Sequence, residues 1–304
     1  MRVAVASVVA ISAFLAALGS AQAQNAPARA ATPPATPPAA AAPAPKCENP
    51  NALGITRTVE VDTTGGPGFG FEHFKQHDFL RANEVVLTFD DGPWPNNTPA
   101  VLKALAAHCI KATFFPIGKH ATWYPEILKQ VAEAGHSIGN HTWSHKNLDK
   151  MKFEDAKTEL EMGASAVHMA VGGPTAPFFR FPVLKHPPQV VTYLGERNIG
   201  IFSTDMDSFD FTMRTPERVI ASVMKKLEKH GKGIVLLHDF QKHTAEALPE
   251  LLDKLKAGGY KIVHMKAKEP IKTLAEYDEL VRKQEKLPIA NSRPTSSVVR
   301  TIVE

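Results

Sequence analysis

From residue 84 onward, short apolar runs alternate with longer stretches of helical period. Residues 84–89 (EVVLTF) form a compact β-rich run, 97–108 carry a helical pattern, and 112–117 (ATFFPI) read as the next strand, with Pro116 limiting its end. Residues 125–134 are helical again, and 135–139 lead into a short strand. A long amphipathic helix is predicted at 153–171. Strands at 177–181 and 199–203 flank a helix at 188–197. A helix at 216–230, a strand at 233–237, a helix at 244–257 and a last strand at 261–264 complete the pattern. Such alternation predicts parallel β-α units and an α/β fold. About seven parallel strands on one core favour a barrel-like or incompletely closed sheet over an open doubly wound one. Neither G-x-G-x-x-G nor G-x-x-x-x-G-K-[ST] is present, which weighs against nucleotide binding.

In β/α barrels the chemistry sits at the carboxyl ends of the strands. Polar residues fall there in this chain. The first predicted strand ends in Thr88-Phe89-Asp90-Asp91-Gly92-Pro93, and the third runs into Asn140-His141-Thr142-Trp143-Ser144-His145. The fourth contains Arg180, the fifth leads to Asp205, Asp207 and Asp210, and the sixth ends at His238-Asp239. Burying these groups without partners is costly, so their convergence on one site is the simplest account. His141 and His145 are four apart, and on a turn of helix they would share a face about 5–6 Å apart. Two neutral imidazoles and one carboxylate, with positions open to water, form a common catalytic metal set. Neighbouring residues on an extended chain point in opposite directions. One of Asp90 and Asp91 can therefore bind metal while the other faces the reacting water.

Composition narrows the setting. With 304 residues, 43% hydrophobic and 22% charged, the chain suits one or two globular domains and excludes a coiled coil or a collagen-like chain. A net charge of +4 without a run of five basic residues gives no ground for a nucleic-acid partner. Residues 1–23 read as a signal peptide: Arg2, an apolar run over 3–18, and Ala21-Gln22-Ala23 before the cut. The run is short for a bilayer span of ~20 residues, an uncleaved anchor being the alternative. After cleavage no later apolar run is long enough for a transmembrane segment. Residues 24–46 are Ala or Pro at 17 of 23 positions and read as an extended linker. The folded domain is expected over 47–286, with its motifs in 84–264 and a tail at 287–304. Export to a periplasmic or extracellular site would permit a disulfide between Cys47 and Cys109, the only two cysteines. Two small buried residues that never meet is the competing reading.

The motif set resembles the polysaccharide deacetylase family, also called the NodB-homology domain or carbohydrate esterase family 4. Five motifs match in order, and Thr88–Gly92 and Gly139–His145 match almost letter for letter. The resemblance implies a distorted (β/α) barrel. It implies Asp90 as general base, and Asp91, His141 and His145 as ligands of one divalent metal, zinc most often, with cobalt, nickel or manganese as alternatives. Arg180 would orient Asp90, His238 would be the general acid, and Asp210 would hold it protonated. The backbone N–H of Val183 would meet the oxyanion, and Trp94 and Phe211 are candidate walls of the sugar site. The implied substrate is an acetylated glycan, with the oligomeric state left open. Two departures concern the groove: Val183-Leu184 stand where the family has Tyr and Gly or a similar pair, and Asp210-Phe211 where it has Asp-Trp. Asp205, Asp207 and Asp210 crowd one loop, so either neighbour could replace Asp210. Hydrolysis of a small cyclic amide or imide on the same fold is the alternative activity, and a non-catalytic carbohydrate-binding module a third reading.

Overall fold

The computed structural model describes residue 47 and residues 49–286, so the expected signal peptide, linker and tail lie outside the described residues. The sheet is built on the strand Glu84–Asp90, buried at all seven positions. Two strands precede it, β1 (Ile55–Val61) and β2 (Gly68–Phe69), which makes it β3. The chain continues through α1 (Asn97–Ala107), β4 (Thr113–Phe115), α2 (Gly118–Trp123), α3 (Pro125–Glu133), β5 (Ser137–Ile138), α4 (Phe153–Val171) and β6 (Phe178–Phe179). Then come α5 (Pro188–Glu196), β7 (Gly200–Phe202), β8 (Met206–Asp207), α6 (Pro216–His230), β9 (Gly233–His238), α7 (Lys242–Ala257), β10 (Lys261–Ala267) and α8 (Ala275–Lys286).

All these strands pair in parallel. β3 pairs with β9 along Val85 to Asp90 and with β4 at its last three residues. β4 pairs with β5, a single bridge joins Asn140 to Phe179 in β6, and β6 pairs with β7. From β7 the chain runs through Thr204 and Asp205 into β8, which pairs with β9. The strands thus form two parallel sheets, one built on β3 and one of β2, β7 and β6, joined by the Asn140–Phe179 bridge and by the chain between β7 and β8, and among the described residues no ladder closes the ring. β2 adds beside β7, and β1 beside β10. Phe69, Phe115, Phe178 and Phe202 are buried in one cluster with Val86, Ile234 and Met265, while α1, α6 and α7 cover the other side of β3 and β9.

Several boundaries differ from the sequence reading. The strand expected at 112–117 keeps only Thr113–Phe115, because Pro116 has no N–H to extend the ladder. The strand expected at 261–264 runs on to Ala267, since β1 pairs beside it from Ile262 to Ala267. β1, β2, α2, β8 and α8 are additional. Cys47 and Cys109 are disulfide-bonded, with Cα atoms 5.7 Å apart, which settles the alternative left open by sequence. Among the described residues no helix is long and apolar enough to cross a membrane.

Two imidazoles in the layer of β4, β5 and β10 set a pH limit on stability. His136 Nδ1 accepts the Ala112 N–H at 3.0 Å, and His264 Nε2 lies 3.1 Å from Ser137 Oγ. Burial, helped by Lys111, pushes His136 down to about 3 and His264 down to about 4. An unfolded histidine titrates near 6.5, so the unfolded chain binds protons that the fold refuses. Their contribution is present in full above that value and declines as pH falls toward the folded values. Urea unfolding at pH 7 and pH 5 should show a loss of about 1–2 kcal/mol per imidazole. His264→Gln should lose less on the same acidification. An unreduced loss in that variant would assign the effect to other groups.

Candidate active site

A cleft of about 530 Å3 opens at the carboxyl ends of β3, β5, β6, β8 and β9. Its base follows from strand register. Asp90, the last residue of β3, is paired directly with His238, the last residue of β9. Asp91 then takes a left-handed conformation (φ 71°), and the two carboxylates approach one imidazole, with Asp90 Oδ2 3.9 Å and Asp91 Oδ1 3.5 Å from His141 Nε2. Asp90 is buried against Arg180, whose NH1 donates to Asp90 Oδ1 and to Thr88 Oγ1, both at 2.7 Å. Arg180 Nε donates to the Phe202 carbonyl (3.1 Å) and NH2 to the Ser203 carbonyl (2.9 Å). Burial pushes Asp90 up to about 6 despite the opposing charge of Arg180.

His141 and His145 do not sit on a helical turn. Their loop is irregular, and Thr142 (φ 69°) and His145 (φ 57°) are left-handed. This path brings the two rings within 4.9 Å. Helix α4 holds the loop in place. The Glu159 carboxylate accepts the Ser144 N–H (2.8 Å) and hydroxyl (2.6 Å), and the Leu160 carbonyl accepts Asn140 Nδ2 (2.9 Å). Gly163 allows the close approach: a Cβ there would stand 2.4 Å from Asn140 Oδ1 and 2.5 Å from the Thr142 carbonyl carbon.

Asp91 Oδ1 lies 3.5 Å from Nε2 of both His141 and His145. It is buried and accepts no hydrogen bond, a cost that a bridging cation removes. His141 Nδ1 donates to the Arg180 carbonyl at 2.7 Å, so the lone pair of its neutral ring is at Nε2. Burial holds this imidazole well below its usual range, which favours the neutral ligand form. His120 Nδ1 donates to the Asp91 carbonyl at 2.6 Å and steadies the third member. Asp91, His141 and His145 therefore fit one divalent ion.

On the other side, His238 Nδ1 is 2.6 Å from Asp210 Oδ1, while Asp210 Oδ2 accepts the His238 N–H (2.8 Å) and the Thr244 hydroxyl (2.5 Å). Burial opposes the imidazolium, but the bond to Asp210 and the charges of Asp210, Asp91 and Asp90 overcome it and push His238 up to about 9. Of the three aspartates in this loop, Asp210 is the one bonded to His238. Asp205 instead accepts the Phe71 and Ile234 N–H groups (2.5 and 2.6 Å), and Asp207 the Phe209 N–H (2.8 Å). Asp239, noted in the sequence as a polar strand-end residue but given no role there, is buried and accepts the Thr98 hydroxyl (2.5 Å) and the Gly92 N–H (3.1 Å), fixing the turn after Asp91. A second acid beside His238 at a strand end was the available signal.

The walls depart most from expectation. Val183 (φ 51°) lies on the rim, and the Phe211 ring stands edge-on to His238 at 5.6 Å. Trp94 does not line the cleft; it packs edge-on against His120 (5.1 Å) and Tyr124 (5.5 Å). Phe209, Leu184 and Lys185 line the cleft, with Glu72 and His73 from the segment between β2 and β3. That segment carries no repeating pattern, so no strand or helix signal marked it.

The sequence profile described as polysaccharide deacetylase matches residues 80–199. A peptidoglycan-N-acetylglucosamine deacetylase of Listeria monocytogenes is 34% identical over 185 residues, 59% of this chain but only 37% of that protein's length. A chitooligosaccharide deacetylase of Azorhizobium caulinodans is 32% identical over 157 residues, 52% of this chain and 74% of that protein. The solved structure of a Bdellovibrio bacteriovorus peptidoglycan deacetylase is similar at a TM-score of 0.65 and 34% identity, covering 73% of this chain and 62% of that one.

Zinc titrated into the metal-stripped protein against a chelating dye should bind at one ion per chain. His141→Ala should weaken binding by more than about 100-fold, and Gly163→Ala, which touches no ligand, by about 10–100-fold. Unchanged affinity in His141→Ala would remove the site.

Proposed function

We propose that this chain, which belongs to the polysaccharide deacetylase family, hydrolyses the N-acetyl amide of N-acetylglucosamine units in a glycan. The register pairing of Asp90 with His238, on either side of the Asp91 cluster, carries this reading: it supplies one base and one acid to one reacting group. A divalent ion at Asp91, His141 and His145, zinc first among the candidates, would polarise the amide carbonyl and acidify water. Asp90, oriented by Arg180, removes a proton from the attacking water as its oxygen bonds to the carbonyl carbon. The Val183 N–H is the candidate donor to the resulting oxyanion. His238, held as an imidazolium by Asp210, passes its proton to the nitrogen. The C–N bond then breaks to give acetate and a free amine.

Peptidoglycan, a chitin-like oligomer and an exopolysaccharide all fit this chemistry, and a periplasmic or extracellular location fits all three. The relatives above are named for peptidoglycan and for chitooligosaccharide. The exposure of Phe209 and Phe211 at the cleft favours an extended glycan over a small cyclic amide or imide.

A panel of acetylated glycans, assayed for acetate release with and without chelator, tests the reading. Release that survives full metal removal, or ring opening of an imide with no acetate from any glycan, would overturn it. Asp90→Asn should keep the metal and lower kcat by about 10²–10⁴, because Asn cannot accept the proton. Release of metal by Asp90→Asn but not by Asp91→Asn would mean that the two roles are exchanged.

The rate should fall at high pH as the His238 imidazolium is lost. Asp210 raises the pKa of that imidazolium, so Asp210→Asn should move the alkaline limb to lower pH. A limb that stays in place, with circular dichroism unchanged, would remove His238 as the acid or Asp210 as its partner.

A further inference from the structure

We propose that His120 is a positioning residue for the metal set, its ring holding Asp91 in place beside His141 and His145. This rests on the reading of those three residues as metal ligands and adds a residue that lies outside the five motifs. The ligands come from two separate stretches of chain, the turn after β3 and the irregular loop after β5. Residues 115–120, the end of β4 and the start of α2, run between these stretches and bond to both.

Toward the first stretch, the Phe115 carbonyl accepts the Asp91 N–H (3.2 Å) and the Ile117 N–H donates to the Gly92 carbonyl (3.1 Å). Toward the second, the Pro116 carbonyl accepts the His141 N–H (3.1 Å). The Gly118 and Lys119 N–H groups donate to the Thr142 and Trp143 carbonyls (2.8 and 2.9 Å). These five are backbone bonds and ask for no particular side chain. The sixth does: His120 Nδ1 donates to the Asp91 carbonyl at 2.6 Å. It falls on the residue that most needs a restraint, since Asp91 is a non-glycine residue at φ 71° and such a conformation persists only under support.

The His120 ring is held in turn. Trp94, from the turn after β3, stands edge-on to it at 5.1 Å, and Trp123, from the same short helix, lies at 5.1 Å. Two indoles fix the rotation of the imidazole, so that Nδ1 stays on the carbonyl. This contact also accounts for a tryptophan that is 47% exposed at position 123. The other supports act elsewhere: Glu159 holds the histidine loop through Ser144, and Asp239 holds the Gly92 N–H. His120 acts on the peptide of Asp91 itself.

The test is zinc binding to the metal-stripped full chain, by competition with a chelating dye. His120→Phe keeps a ring between the indoles and loses the donor. His120→Asn loses the ring and keeps an N–H near the place of Nδ1. His120→Phe should weaken zinc binding about 10–100-fold, the scale of a lost outer hydrogen bond, while His120→Asn stays near the wild type. The visible absorption of the cobalt-loaded chain should change in His120→Phe and not in His120→Asn. A role in packing alone predicts the opposite order, with Asn the more damaging, and that order, or equal weakening in both, overturns the proposal. Nitrogen-15 spectra of the wild-type imidazoles need no variant: the neutral His120 ring should carry its proton on Nδ1, and a proton on Nε2 overturns the proposal. Unchanged affinity in His120→Phe beside a weakened His141→Ala overturns the positioning role and leaves the metal reading standing. If the wild type binds no zinc, or His141→Ala binds it equally well, the metal reading fails and the proposal with it.

Discussion

A single buried guanidinium holds the carboxyl ends of the strands together. Arg180 is fully buried and reaches four acceptors in three directions: Thr88 and Asp90 on β3, Phe202 on β7 and Ser203 just beyond it. Its own backbone extends the grip, with its N–H on the Asn140 carbonyl and its carbonyl on His141 Nδ1. The candidate base and one candidate metal ligand are thus positioned by the same residue. Removing one partner from a buried ion pair typically costs about 3–5 kcal/mol, because the survivor stays charged in a dry site. Lys could not serve instead, since an ammonium lacks the planar fork that addresses strands on several sides.

Around this hub the backbone is strained in a concentrated way. Asp91, Thr142, His145, Val183, Leu184 and Phe209 are all non-glycine residues with positive φ, and all belong to the cleft or to its metal loop. Such conformations persist only where packing over-determines them. Here that packing comes from α4 through Glu159 and Gly163, and from Asp239 beneath the turn at Gly92. The scaffold meets a conformational cost at the site with rigid support directly behind it.

The parts of this arrangement legible in the sequence were those governed by local rules. The buried strand at Glu84–Asp90, the helical periods and the polar residues at strand ends each leave a pattern within a few neighbours. What escaped depends on long-range contact. β1 alternates in burial along its length and gains its place only beside β10, some 200 residues away in sequence. The segment that supplies Glu72 and His73 has no period, and its position is set by hydrogen bonds to Thr204 and Asp205. Trp94 stands next to the Asp90-Asp91 motif in sequence, yet it packs on His120 and Tyr124 and does not line the cleft. Adjacency along the chain does not fix the direction of a side chain. Asp205, Asp207 and Asp210 are nearly equivalent as letters, and only the loop path distinguishes a backbone clamp from the partner of His238.

The pairing of β1 with β10 also has a consequence in time. Ile55 meets Ile262, so the first strand of the fold waits for the last. A chain that emerges from its N-terminus first must carry β1 unpaired until nearly every other element exists, and contacts of such separation form slowly. The bond between Cys47 and Cys109 spans only 62 residues and becomes available much earlier. Closing that loop removes about 4 kcal/mol of chain entropy from the unfolded state by the usual estimate. The disulfide encloses β1, β2 and the Phe71 segment, and so keeps the late-pairing portion of the chain near its destination while the rest of the fold assembles.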